Sequence, residues 1–187
     1  MEKRKQKKTQ ELPLIAMLAS IIVVTGTFKI PSPLIGTEFQ LSAPIAVIIA
    51  ALFGFKRYFY AGLIASGVSL LIGTHTIINV FVAIIFRIVA GGTIGLFGTG
   101  IIILIIAGPL GTLVARFVLA ALLDINPKIL IVSALPGMIF TAIVTFLIYP
   151  IARKIIQRTP FKHFLVHAKQ GVGFNESILH KNASKSK

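Results

Sequence analysis

The chain has 187 residues, of which 56% are hydrophobic and only 13% charged, and its mean hydropathy is +0.93. That is too little polar surface for a soluble domain; it makes lipid the expected solvent, with room for about six spans of roughly 20 residues and none for a separate extramembrane domain. Cysteine is absent, which excludes disulfides and thiolate metal sites, and the net charge of +14 does not suit nucleic acid because no aromatic residues interleave with the basic tracts.

The chain opens on a basic tail, residues 1–11, containing "KRKQKK" (Lys3–Lys8). An apolar run follows at about 12–28. It reads as a retained first helix, because "VVTGTFKIP" offers no small-x-small cleavage site and further spans follow. "FKIPSPLIGTEFQLSAP" (Phe28–Pro44) holds three prolines and one glycine, which predicts a structured outer loop or re-entrant cap. Two short runs, 43–55 and 58–73, flank Lys56-Arg57; polar flanks can extend them across a bilayer, and a four-span alternative has them form a re-entrant pair. Longer runs cover 77–97, 101–123 and 129–151. "IAGPLGT" (Ile106–Thr112) predicts a kink or break in the fifth. The membrane domain is thus expected over 12–155. A basic tail follows over 156–187, expected to be disordered past about Gly171.

Small residues recur at one-turn intervals in five of these runs. Ala16 and Ser20 do so in the first, with Ala19 beside them, and Ala46, Ala50 and Gly54 in the second. Gly62, Ser66, Ser69 and Gly73 follow in the third, Gly108, Gly111 and Ala115 in the fifth, and Ser133, Gly137, Thr141 and Thr145 in the sixth. Lipid already solvates leucine, so helices in a membrane associate by close packing, and such stripes predict contact faces. The charge distribution sets the orientation. With the N-terminus in the cytoplasm, fifteen of the 19 Lys and Arg lie on that side and only Lys29 and Lys128 on the other; Arg87 and Arg116 fall within spans. The expected fold is an all-α integral membrane bundle of six transmembrane helices, with both termini cytoplasmic.

Arg87 is the sharpest chemical signal. A charge near a helix centre costs about 2.5–3.5 kcal/mol on insertion scales, so it is normally paired or turned from lipid. Glu38 and Asp124 are the chain's only acids outside the tails. Arg87 either snorkels to headgroups or faces a cavity, where its fork suits a ligand carboxylate. Asn79 lies two turns before it and is expected to share its face. His75 sits between Thr74 and Thr76 at the start of the same helix, where Thr76 is a candidate cap. Glu38, in the outer loop, could receive an ammonium group or ring N–H. The candidate substrate-binding residues are therefore Arg87, Asn79, His75 and Glu38. Arg116 lies nearer its helix end, where snorkelling or pairing with Asp124 is expected. No catalytic constellation is visible: HExxH, Gly-x-Ser-x-Gly and paired helical carboxylates are missing. The glycine-rich "GGTIGLFGTG" follows an apolar helix and lacks a phosphate-binding lysine, so it predicts a tight turn. Neither a cofactor nor a metal is expected.

Several stretches together resemble the substrate-binding S components of energy-coupling factor (ECF) transporters, over roughly residues 10–160. They are "AMLAS" (Ala16–Ser20), "APIAVIIAALFGFKRYFYAGLIASGVSLLIG" (Ala43–Gly73), "FRIVAGG" (Phe86–Gly92), "GPLGTLVARF" and "ALPGMIFTAIVTFLIYPIARKII". Within that group "LIYPIARKIIQRTPF" (Leu147–Phe161) is most similar to the end of bacterial tryptophan-transport proteins, whereas "GTHTIINV" departs from them. The resemblance implies a six-helix subunit that captures a small nutrient, such as a vitamin or amino acid, beneath its outer loop. It also implies docking, through Ala16, Ala19 and Ser20 of the first helix, on a transmembrane T component driven by two ABC-type ATPases. The rival expectations are a self-sufficient small permease or channel, and a membrane scaffolding protein without a ligand.

Overall fold

The computed structural model describes residues 2–31 and 38–166, with side chains from 10 to 28 and from 40 to 166. Six α-helices account for nearly all of it: α1 (Glu2–Thr27), α2 (Ser42–Phe53), α3 (Phe55–Leu71), α4 (Ile77–Phe97), α5 (Ile101–Leu123) and α6 (Pro127–Gln157). Between α1 and α2 lies a two-stranded antiparallel hairpin, β1 (Lys29–Pro31) with β2 (Glu38–Gln40), in which Ile30 pairs with Phe39. A 3₁₀ turn, Pro160–Phe164, follows α6.

Local chemistry sets most of the helix boundaries. The Thr76 Oγ1 accepts the Asn79 N–H at 3.3 Å and starts α4. Asn126 Oδ1 accepts the Lys128 N–H at 3.0 Å, with Pro127 following it in the first turn of α6. Gly54, at φ +83°, is the single residue between α2 and α3; a left-handed backbone there turns the chain without a Cβ penalty. The helix α1 begins at Glu2, so the basic segment before the apolar run is helical, in keeping with the helix propensity of Lys, Arg, Gln and Glu. Of the kink or break expected at Pro109, the break does not occur, since α5 is one helix through that residue.

The short α2 is the centre of the bundle. It packs against α1, α3, α4, α5 and α6, and every residue from Ala46 to Phe53 is buried. A helix apolar all round belongs in such a place. The other five form an arc in which α1 meets α3, α3 meets α4, α4 meets α5 and α5 meets α6. The outward faces are greasy: Ile102, Ile106, Leu110, Leu113 and Phe117 of α5, and Val132, Leu135, Ile139 and Ile143 of α6, are all exposed at three- and four-residue spacings. An apolar surface this continuous is stable only against hydrocarbon. Among the described residues four helical segments are long and apolar enough to cross a membrane, Gln10–Thr27, Ile77–Phe97, Ile101–Leu123 and Pro127–Gln157. This is a multi-pass membrane protein.

The small-residue stripes mark close contacts at some of their positions and not at others, Gly73 having nothing within 4 Å of an added Cβ. A Cβ on Gly108 would lie 2.5 Å from Thr141 Cγ2 and 3.3 Å from Val47 Cγ2, so α5 touches α6 and α2 there. A Cβ on Gly111 would lie 3.0 Å from Ala90 Cβ and from Phe86 Cδ2 of α4. Gly137 has nothing within 4 Å of such a Cβ. On α1, Ala16 and Ser20 are exposed, whereas Ala19 is in the core. Of the three residues expected to meet a partner, Ala19 lies about 60° from Ala16 and about 100° from Ser20 on the helix wheel and turns inward.

Candidate ligand site around Arg87

Arg87 sits midway along α4 and retains 6% of its surface exposure. It does not reach outward to headgroups. Its side chain lies across Gly62 of α3, so close that a Cβ there would fall on Nε. Its Nη1 donates to Ser66 Oγ at 2.7 Å, one turn further along α3. The guanidinium thus runs along α3 from Gly62 toward the α3 C-terminus, the end at which residues 72–76 lead into α4. Helical side chains lean toward their own N-terminus, and in α4 that is the same direction.

The α3–α4 contact is reciprocal. Tyr58 and Gly62 are one turn apart on α3, and Arg87 and Gly91 are one turn apart on α4. Arg87 covers Gly62, and a Cβ on Gly91 would lie 3.0 Å from Tyr58 Cε1. Arg87 occupies the space that Gly62 leaves free, whereas the space at Gly91 is shared by Phe55, whose Cδ2 is nearest at 2.8 Å, and Tyr58. Tyr58 is fully buried, and its hydroxyl has no hydrogen-bond partner among the described residues. Ser66 is likewise Arg87's one hydrogen-bond partner among them. A neutral hydroxyl offsets about 1.5–3 kcal/mol when it binds a charged group, against roughly 2.5–3.5 kcal/mol for placing the charge at mid-helix. One of five N–H donors is engaged. What results is a buried cation with one neutral hydrogen-bond partner among the described residues, a group whose remaining N–H donors can bind an anion.

The other expected site residues do not converge on it. Asn79 is exposed, so it does not share the buried face of Arg87. Eight residues at about 100° each leave an offset of roughly 80°, enough to carry the first turn of α4 off that face. His75 is half-buried in the α3–α4 connection, where its N–H and that of Thr74 donate to Ser69 O at 3.2 and 3.0 Å. Glu38 belongs to β2, opposite Pro31, and its side chain lies outside the described residues. Arg116 is half-buried on α5, and Asp124 is exposed at its left-handed C-cap; the two form no ion pair. Among the described residues no group of three or more His, Cys, Asp or Glu could hold a metal.

Tyr58, Gly62, Ser66 and Gly91 escaped the sequence reading as site residues. Gly62 and Ser66 were visible only as a packing stripe, because nothing in a linear pattern tells which side chain lies opposite a glycine. Arg57 was also read only as part of a basic corner. Its Nε donates to Glu11 Oε1 at 2.8 Å, and Nη1 reaches Phe53 O and Phe164 O at 3.2 and 3.4 Å. The guanidinium carbon lies 5.0 Å from the Phe164 ring centroid, and Val166 N–H donates to Leu52 O at 2.8 Å. The segment after α6 is thereby fastened to the α2–α3 corner and to α1.

No family model matches the chain, and no solved structure matches it. It is 52% identical to Protein BioX of Lysinibacillus sphaericus over 151 residues, covering 79% of this chain and 91% of that protein. The similarity found is to BioX rather than to tryptophan-transport proteins. At that identity and coverage, the chain belongs to the family of Protein BioX.

Proposed function

We propose that the chain is the membrane-embedded S component of an ECF-type transporter in the bacterial cytoplasmic membrane, and that it captures biotin or a closely related carboxylate. The observation that carries this reading is the 52% identity to Protein BioX along nine-tenths of that protein, whose name carries the biotin stem. The sequence resemblance to S components agrees with it. Biotin ends in a carboxylate, and an inward-turned guanidinium with a single neutral partner suits such a group.

In this reading the bundle crosses the membrane six times, with both termini in the cytoplasm. Lys and Arg set the orientation, fifteen on one side against two on the other. The 17 residues of α3 reach about 25 Å. The 12 residues of α2 reach only about 18 Å, but its neighbours enclose it, and the hairpin extends the chain outward from its N-terminus. Arg87 reaches toward the hairpin end, the outer side in this orientation. The exposed Ala16 and Ser20 of α1 offer a close-packing face for a transmembrane T component, with two ABC-type ATPases supplying energy. The chain itself carries out no chemical step.

The test is direct. The purified protein should bind biotin in calorimetry and retain it in native mass spectrometry, and uptake into vesicles should require the T component and ATPases. Uptake by the chain alone would favour a stand-alone permease. Failure to bind biotin would sink the substrate assignment.

A further inference from the structure

The third span's small residues do more than let two helices approach. We propose that Gly62 and Ser66 of α3 form a cradle that fixes the Arg87 guanidinium as the receptor for the ligand carboxylate, making both of them positioning residues for substrate capture. The inference rests on the carboxylate reading above, and it assigns a role to two residues that touch the arginine and not necessarily the ligand.

Three observations carry it. First, the space at Gly62 is filled by Arg87 itself: Nε, Cδ and Cζ are the nearest atoms to a Cβ placed there. Over Gly108 and Gly111 the nearest atoms are hydrocarbon groups and one backbone carbonyl, Phe86 O; over Gly62 all three belong to one cationic side chain. Second, Ser66 lies one turn beyond Gly62 and accepts from Nη1 at 2.7 Å. With Nε held over Gly62 and Nη1 held at Ser66, the plane and direction of the fork are fixed at two points. Third, both Ser66 and Arg87 are buried, at 3% and 6% exposure, so neither contact is a surface accident that water would exchange freely. A guanidinium held in this way presents its remaining N–H groups in a set direction, and that preorganisation is what bidentate carboxylate recognition needs.

The experiment compares biotin with biotin methyl ester, which keeps the ring system and loses the negative charge. Binding of both is measured by calorimetry on the intact detergent-solubilised protein, with apparent melting temperature and size-exclusion profile as folding controls. The wild type is expected to favour the acid over the ester by at least about 100-fold, in line with a charge-assisted bidentate contact. Gly62→Ala, which displaces the arginine, should collapse that ratio to within about threefold. Ser66→Ala, which removes one oxygen and no bulk, should lower it about five- to tenfold, and Ser66→Thr, which keeps the hydroxyl, should restore most of it. The ester's own affinity should change little. If Gly62→Ala fails to fold, the Ser66 pair carries the test. An acid-to-ester ratio unchanged in Ser66→Ala overturns the cradle, even where Arg87→Ala abolishes the ratio and the carboxylate reading stands. Equal binding of acid and ester by the wild type, or no binding of either, overturns both.

Discussion

Two arginines, Arg57 and Arg87, lie on opposite sides of the question of what a cation does in this bundle. Arg57 sits at the basic end, 27% exposed, yet its fork is occupied by a carboxylate, two carbonyls and an aromatic face. Arg87 is far more deeply buried and has one neutral hydroxyl. Solvation alone would assign the partners the other way round, since the cation in the less polar place needs them more. Under the proposed function the difference separates a fastening from a receptor: Arg57 ties α1, the α2–α3 corner and the segment after α6 together, whereas Arg87 has one neutral hydrogen-bond partner among the described residues.

The comparison is broken most easily at Arg87. Arg87→Ala is expected to weaken biotin binding at least about 100-fold, the equivalent of roughly 2.7 kcal/mol. Its apparent stability should hold or rise, because a buried charge is removed along with its desolvation cost. Arg87→Lys should recover little, since an ammonium lacks the planar fork. Calorimetry and thermal unfolding on the same samples read both quantities. If binding survives, Arg87 is a structural cation after all and its likeness to Arg57 is closer than its surroundings suggest.

The next largest effect belongs to the helix contacts that frame the site. Gly108→Ala would push a methyl to 2.5 Å from Thr141 Cγ2, on a short β-branched side chain that cannot swing away. Overpacking of this kind costs about 1–3 kcal/mol, and a lowered unfolding midpoint in detergent should report it. Arg57→Ala should cost less, about 1–2 kcal/mol, summed from a part-exposed ion pair and a cation–π contact. The loss should appear as faster proteolysis after α6 while biotin affinity stays within about twofold. An affinity loss at Arg57 comparable to that at Arg87 would erase the distinction between fastening and receptor.

The sequence made the helices legible because six apolar runs separated by Gly, Pro and charged corners leave few other options. It could not say that α2 is the enclosed one, because an apolar run reads alike whether lipid or protein surrounds it. Nor could it choose between a kink and a break at Pro109, through which α5 runs as one helix. At the site, Arg87 stood out because a charge in an apolar run is conspicuous in one dimension. Tyr58, Gly62 and Gly91 did not, since their meaning lies in the antiparallel register of α3 against α4. Asn79 is exposed, about 80° round the helix from the buried Arg87, an offset that sequence spacing blurs and a helix wheel does not.

The smallest expected effect tests whether a small-residue stripe has meaning by itself. Gly137 belongs to the same one-turn series as Thr141 and Thr145, and by pattern it is indistinguishable from Gly108. Yet a Cβ there meets nothing within 4 Å; its carbonyl accepts the Thr141 hydroxyl at 2.8 Å, a bond that a methyl on its Cα leaves intact. Gly137→Ala should therefore leave biotin affinity unchanged and shift stability by no more than about 1 kcal/mol, in the stabilising direction expected for alanine over glycine within a helix. Set beside a destabilised Gly108→Ala in the same unfolding assay, that result would locate the information in the neighbour across the interface and not in the repeat. A Gly137→Ala protein that folds normally but no longer supports uptake with the proposed T component and ATPases would give the open space a different owner: the face of α6 at Gly137 would then be a docking surface, and the proposed contact through Ala16 and Ser20 would not be the whole of it.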